Sequence, residues 1–151
     1  MNERPARCTP DAVFAVLADG WLYANWVVGA SRIRSVDSHW PEAGSKLQHS
    51  VGIWPVLIND HTEVLEADPP NMLRLQARGW PAGQAEVTIS VAPTPAGCTI
   101  TIMEHATAGP AKLIPTPVME ALLHARNEEA LKRLALLAEG RSKVDPTADL
   151  A

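Results

Sequence analysis

Two cysteines, Cys8 and Cys98, are all that the 151-residue chain holds. That is too few for a disulfide framework or a cysteine-based metal site, and it favours two reduced thiols in a cytoplasmic protein. Positive charge is scarce as well: 13 Lys and Arg stand against 17 Asp and Glu, for a net charge of -4. Without a basic cluster, nucleic-acid binding is not expected. No apolar run approaches the roughly 20 residues of a membrane span, so no membrane insertion is expected either. The opening "MNERPARCTPD" is charged and lacks the apolar stretch of a secretory signal. A Gly-rich phosphate loop, a serine nucleophile elbow and a recognisable Cys/His arrangement are all missing. Glu120, His124 and Glu128 follow one another at four-residue steps but lack a second histidine, so they read as surface pairing. Neither a metal nor a cofactor is expected.

Aromatic residues are few, with five Trp, one Tyr and one Phe, yet Trp21, Tyr23 and Trp26 crowd into "GWLYANWVVG". Around them the composition is ordinary for a globular domain, 46% hydrophobic and 20% charged. One domain spanning 1–141 is expected, with 142–151 as a flexible tail. Thr9, Pro10 and Asp11 form a helix start, Val13, Phe14, Val16 and Leu17 its buried stripe, and Gly20 its stop. Strands are predicted over 28–36, 45–53, 60–67, 72–79, 85–92 and 98–105. Their clearest members place Leu73, Leu75 and Ala77, then Ala85, Val87, Ile89 and Val91, on one face, with Arg74, Gln76 and Arg78 on the other. Period-two patterning with one wet face is the mark of an antiparallel sheet covered on one side. The cover is a long helix, capped by Thr116, begun by Pro117 and stopped at Gly140, with Met119, Leu123, Ala130, Leu134 and Leu137 as its stripe.

The segments "TPDAVFAVLAD", "WPEAGSKL", "TEVLEADPPNMLRLQARGWP" and "GCTITIMEHATAGP" follow one another in a distinctive order before the long helix. Over about residues 8–140 the chain resembles the START-like (SRPBCC) superfamily, which includes polyketide cyclase/dehydrase-type and birch-pollen-allergen-like proteins. The resemblance implies an α+β helix-grip fold: a curved antiparallel sheet of six to seven strands around a long C-terminal helix, with two short helices near the N-terminus. It also implies an opening strand. Only "NERPARC" is available for it, and Pro5 makes it short or irregular. Such a strand would bring Cys8 near Cys98.

The same resemblance implies a cavity between sheet and helix, lined mainly by apolar side chains with a few polar ones. The inward positions Leu47, Val51, Leu75, Val87, Ile89, Ile100 and Ile102, with Met119 and Leu123 of the helix, are then candidate lining, though each fits a filled core as well. Three polar residues share those faces: His49, Glu104, and Asn127 with Arg126 beside it. Buried polar groups need a partner or a purpose, so these are candidates for orienting contacts, and His49 and Glu104 for acid–base work. Trp54 and Trp80 each precede a proline, which places both in loops or strand ends, and the resemblance implies that one or both border the entrance or fill the cavity. "GWLYANWVVG" becomes the second short helix beside the mouth. There Leu22 and Trp26 share a face, one tryptophan is core, and the Tyr23 side lies nearer the opening. The expected function is binding of a small hydrophobic or aromatic molecule by a monomer or homodimer. The alternatives are a polyketide cyclase/dehydratase-type enzyme and an accessory protein with a closed cavity.

Overall fold

In a computed structural model, residues 1–53, 55–79, 83–108 and 116–144 are described. Seven strands form one antiparallel sheet: β1 (Asn2–Ala6), β2 (Ala30–Val36), β3 (Lys46–Ile53), β4 (Val56–Asp68), β5 (Met72–Gly79), β6 (Gly83–Thr94) and β7 (Gly97–Ala108). Their order across the sheet is β1-β7-β6-β5-β4-β3-β2. Helices α1 (Pro10–Leu17) and α2 (Tyr23–Trp26), joined through a 3-10 turn at Gly20–Leu22, connect β1 to β2, and α3 (Thr116–Val144) follows β7. The α+β helix-grip architecture expected from the order of elements is the one observed.

Local chemistry accounts for the starts. The Thr9 hydroxyl accepts the Ala12 amide at 3.3 Å, and Pro10 occupies the first turn, where its missing N–H costs nothing. The opening strand forms despite Pro5, which lies opposite Thr99, because β1 is an edge strand and one side of its ladder needs no donor. Gly97 permits the close approach of β1 to the β6–β7 hairpin: its φ of +142° and the Ala6 carbonyl oxygen beside it leave no room for a Cβ. Cys8 and Cys98 do come together, as two buried thiols in hydrogen-bond contact and not joined by a disulfide, and burial pushes the Cys98 thiol up.

Several boundaries differ from expectation. Strands β4, β6 and β7 run longer than the alternation suggested. Helix α3 does not stop at Gly140 but continues to Val144. Beyond the glycine, Arg141 donates to the Ala15 carbonyl at 3.1 Å and to the Asp19 carboxylate at 3.0 Å, while the Ser142 hydroxyl returns to the Ala138 carbonyl. Those contacts, with Arg141 and Lys143 complementing the helix C-terminus, offset the ~1 kcal/mol cost of an interior glycine.

The core lies where α1 and the C-terminal half of α3 meet the sheet. Val13 and Val16, Leu131 and Leu134, and Leu47, Leu73, Ile89 and Ile100 are fully enclosed there. Burial of each such leucine or isoleucine contributes roughly 1.5–3 kcal/mol. The N-terminal half of α3 departs from this pattern. Leu122 is exposed and Leu123 only half-buried.

Candidate functional site

The strand register explains where the sheet recedes. Leu73, Ile89 and Ile102 lie side by side across β5, β6 and β7, followed by Leu75, Val87 and Glu104. The next row along is Ala77, Ala85 and Ala106. Large side chains thus fill one end of the inner face, while a row of three methyl groups leaves the other end unfilled. Against that shallow row stands the loosely packed half of α3, and the gap between them is a cavity of about 330 Å³.

Of the candidate lining, Tyr23, Trp26, His49, Val51, Leu75, Val87, Ile102, Glu104, Leu123 and Asn127 lie on its wall. Ile89, Leu47 and Ile100 do not. They sit fully enclosed in the core. Trp54, Trp80 and the side chain of Met119 lie outside the described residues.

Helix α2 corrects the expected arrangement of its rings. The helix begins at Tyr23, so Leu22 belongs to the preceding turn, and Tyr23 and Trp26 become neighbours at three-residue spacing. Their rings meet edge to face at 5.4 Å. Both are enclosed, whereas Trp21 on the turn is 60% exposed. Tyr23 therefore does not sit at a half-wet opening: it lies inside, stacked on His49 at 5.4 Å.

Thr62 of β4 ties these two together. Its hydroxyl lies 2.9 Å from the Tyr23 hydroxyl and 3.1 Å from His49 Nε2, all three buried. Thr62 has one proton to give, so at least one of Tyr23 and His49 donates to it, and the three groups form a short hydrogen-bonded relay. Burial dominates their titration. It pushes Tyr23 up to about 12, partly opposed by the Thr62 hydrogen bond, and it lowers His49 from its ordinary value. Both side chains are neutral at neutral pH.

A second polar group closes the other side. The Glu104 carboxylate on β7, only 5% exposed, pairs with Arg126 of α3, which is 41% exposed. The same guanidinium nitrogen reaches Asn127 Oδ1 at 3.4 Å. Arg126 and Glu104 both act on Tyr23 electrostatically, so the two polar groups share one field.

Thr62 and Arg126 were not among the expected site residues. Thr62 was legible, since it shares the parity of Val64 in "DHTEVLEA"; Arg126 was noted only as a neighbour of Asn127. Arg78, expected on the wet face, lies at the cavity rim with its cross-strand partner Gln84. Arg74 does stay outside, between Glu66 and Glu86. Among the described residues no group of His, Cys, Asp and Glu could hold a metal ion, and no helix is long and apolar enough to cross a membrane.

A family model described as polyketide cyclase/dehydrase and lipid transport matches residues 2–139. The chain belongs to that family. Solved structures with its fold include protein NE0264 from Nitrosomonas europaea, at 16% identity and TM-score 0.72 over 94% of both chains. The di-domain ARO/CYC StfQ from the steffimycin biosynthetic pathway aligns at 12% identity and TM-score 0.74, over 94% of this chain and 50% of that one. Ara h 8.0201 aligns at 12% identity and TM-score 0.68, covering 91% of this chain and 94% of its own. At such identities the likeness is one of fold. No match is found among curated proteins. Within the polyketide cyclase/dehydrase and lipid transport family, the opening strand that Pro5 put in question is present here.

Proposed function

We propose that the protein binds a small hydrophobic or aromatic molecule in the cavity between the sheet and α3. The observation that carries this reading is the alanine row, which leaves about 330 Å³ bounded by Trp26, Tyr23 and aliphatic side chains. That volume lies at the lower end of the ~300–1,000 Å³ range of small-molecule sites. The relay of His49, Thr62 and Tyr23 and the Glu104–Arg126 pair supply the few polar groups that would orient a ring substituent.

Titration with β-naphthol, followed by tryptophan fluorescence, tests it. Trp26 lies on the wall, so binding is expected to change its emission saturably. Ala106→Phe, which fills the shallow row, is expected to weaken binding at least about tenfold while leaving the fold intact. A linear, unsaturable response in the wild type, or equal affinity in Ala106→Phe, would count decisively against the cavity.

A second reading, catalysis of the polyketide cyclase/dehydratase type, draws on the enclosed relay and on the StfQ likeness. Turnover of an enolisable aromatic polyketone that disappears in both His49→Gln and Glu104→Gln, with binding retained, would favour it over binding alone.

A further inference from the structure

Behind the cavity, where β1 crosses the N-terminal half of α3, lies a second and wetter space of about 610 Å³. It shares Glu104, Leu123 and Asn127 with the first, so the two spaces adjoin at these three side chains. Its remaining polar lining comes from Asn2, Glu120 and His124.

The hydrogen-bonding inventory of this space is unbalanced. Asn2 spends its amide nitrogen on α3, donating to His124 Nδ1 at 2.8 Å, to the His124 carbonyl at 3.1 Å and to the Glu128 carboxylate at 3.1 Å. Its oxygen remains as an acceptor. Asn127 is 5% exposed, and its oxygen is fixed by Arg126, which can only donate. Among the described residues nothing accepts from its amide nitrogen, a donor on the wall of both spaces. The Glu120 carboxylate likewise has no cation paired to it among the described residues.

The wall therefore sets two donors, Asn127 and the Nε2 of His124, whose Nδ1 accepts from Asn2, amid the acceptors of Glu104, Glu120 and Asn2. A carboxylate head would meet Glu104 and Glu120 as like charges. An ammonium head would leave the Asn127 donor unmatched. A hydroxyl both accepts and donates, so several hydroxyls can take the Asn127 hydrogen bond and give their own to Glu120, Glu104 and Asn2. We propose that this space holds the hydroxyl-rich portion, a glycosyl or polyol substituent, of a ligand whose apolar ring lies in the inner cavity. The inference rests on the cavity reading above.

Comparing β-naphthol with β-naphthyl glucoside by isothermal titration separates the two. The glucoside is expected to bind the wild type about tenfold more tightly, the scale of one or two hydrogen bonds to charged or buried groups. Glu120→Ala, on an exposed helical position, is expected to reduce that gain while leaving β-naphthol affinity unchanged, and Asn127→Leu is expected to narrow the ratio between the two affinities. If β-naphthol binds and the glucoside gains nothing, or if the gain survives both substitutions, the sugar site is refuted and the cavity reading stands. If neither compound binds, both fall.

Discussion

Alkaline pH offers a direct probe of the relay, because Tyr23 is the only tyrosine in the chain. Its rise from the ordinary 10.0 to about 12 comes chiefly from burial. That difference corresponds to about 3 kcal/mol of preference for the protonated ring. The folded protein thus holds this proton more tightly than the unfolded chain does. Its contribution to stability is complete below pH 10, declines as the pH climbs from there, and is lost above about 12. Set against typical domain stabilities of ~5–15 kcal/mol, the effect is large enough to measure. Urea unfolding at a series of pH values, compared between the wild type and Tyr23→Phe, isolates it from every other titrating group. Phenolate absorbance of the native protein gives the midpoint independently. Tyr23→Phe is expected to be about 1 kcal/mol less stable at neutral pH, for its lost hydrogen bond to Thr62, and to lack the alkaline decline seen in the wild type. Because that hydrogen bond favours the phenolate, Thr62→Val is expected to move the midpoint higher still. A native midpoint near 10, with both proteins declining in parallel, would refute the burial and the relay together.

Other substitutions test the neighbouring features. Arg126→Met leaves the Glu104 carboxylate enclosed without its cation and is expected to cost about 2–3 kcal/mol in urea unfolding, whereas Glu104→Gln, which leaves a half-exposed arginine, costs under about 1 kcal/mol. Equal costs would mean that the pair carries little. Gly97→Ala, forced against the Ala6 carbonyl at positive φ, is expected to lower stability by more than about 2 kcal/mol. A neutral result would remove the tight β1–hairpin contact from the account. Burial lowers the His49 pKa, so the unfolded chain takes up that proton first as pH falls below 6.5, and the wild type is expected to lose stability in that range more steeply than His49→Gln. Matching pH profiles would show that His49 is not enclosed.

Much of this architecture was readable from residue order alone, and the exceptions have physical causes. Alternation in "MLRLQARG" and "AEVTISVA" assigned inner and outer faces correctly except at Arg78, because each strand has one dry side. Alternation does not say which inner residues become wall and which become core. Ile89 and Val87 look alike in sequence. Only cross-strand register, with Ile89 beside Leu73 and Val87 beside Leu75, puts the first in the filled end and the second at the cavity. Ala106 escaped notice because the alternating run was ended at His105, one residue before the third alanine. Tyr23 was misplaced because "GWLYANWVVG" was read as one short helix, whereas Gly20–Leu22 is a 3-10 turn and α2 runs only over Tyr23–Trp26. Gly140 was read as a stop by local propensity, but the docking of Arg141 on α1 and Asp19 overrides it.

The two halves of α3 have a consequence for how such a chain can diverge. Leu131, Leu134, Ala135 and Ala138 anchor one half in the core, while Leu123, Arg126 and Asn127 on the other half border open space. The positions that set the stability of the fold and those that set the contour of the cavity are therefore largely separate, on the helix as on the sheet. Substitution at Ala77, Ala85 or Ala106 reshapes the interior without disturbing the packing around Leu134. Selection for a different interior and selection for folding can then proceed on different residues. A lineage built on this plan can exchange much of its wall and keep its shape, and the fold itself is shared by structures at 12% and 16% identity.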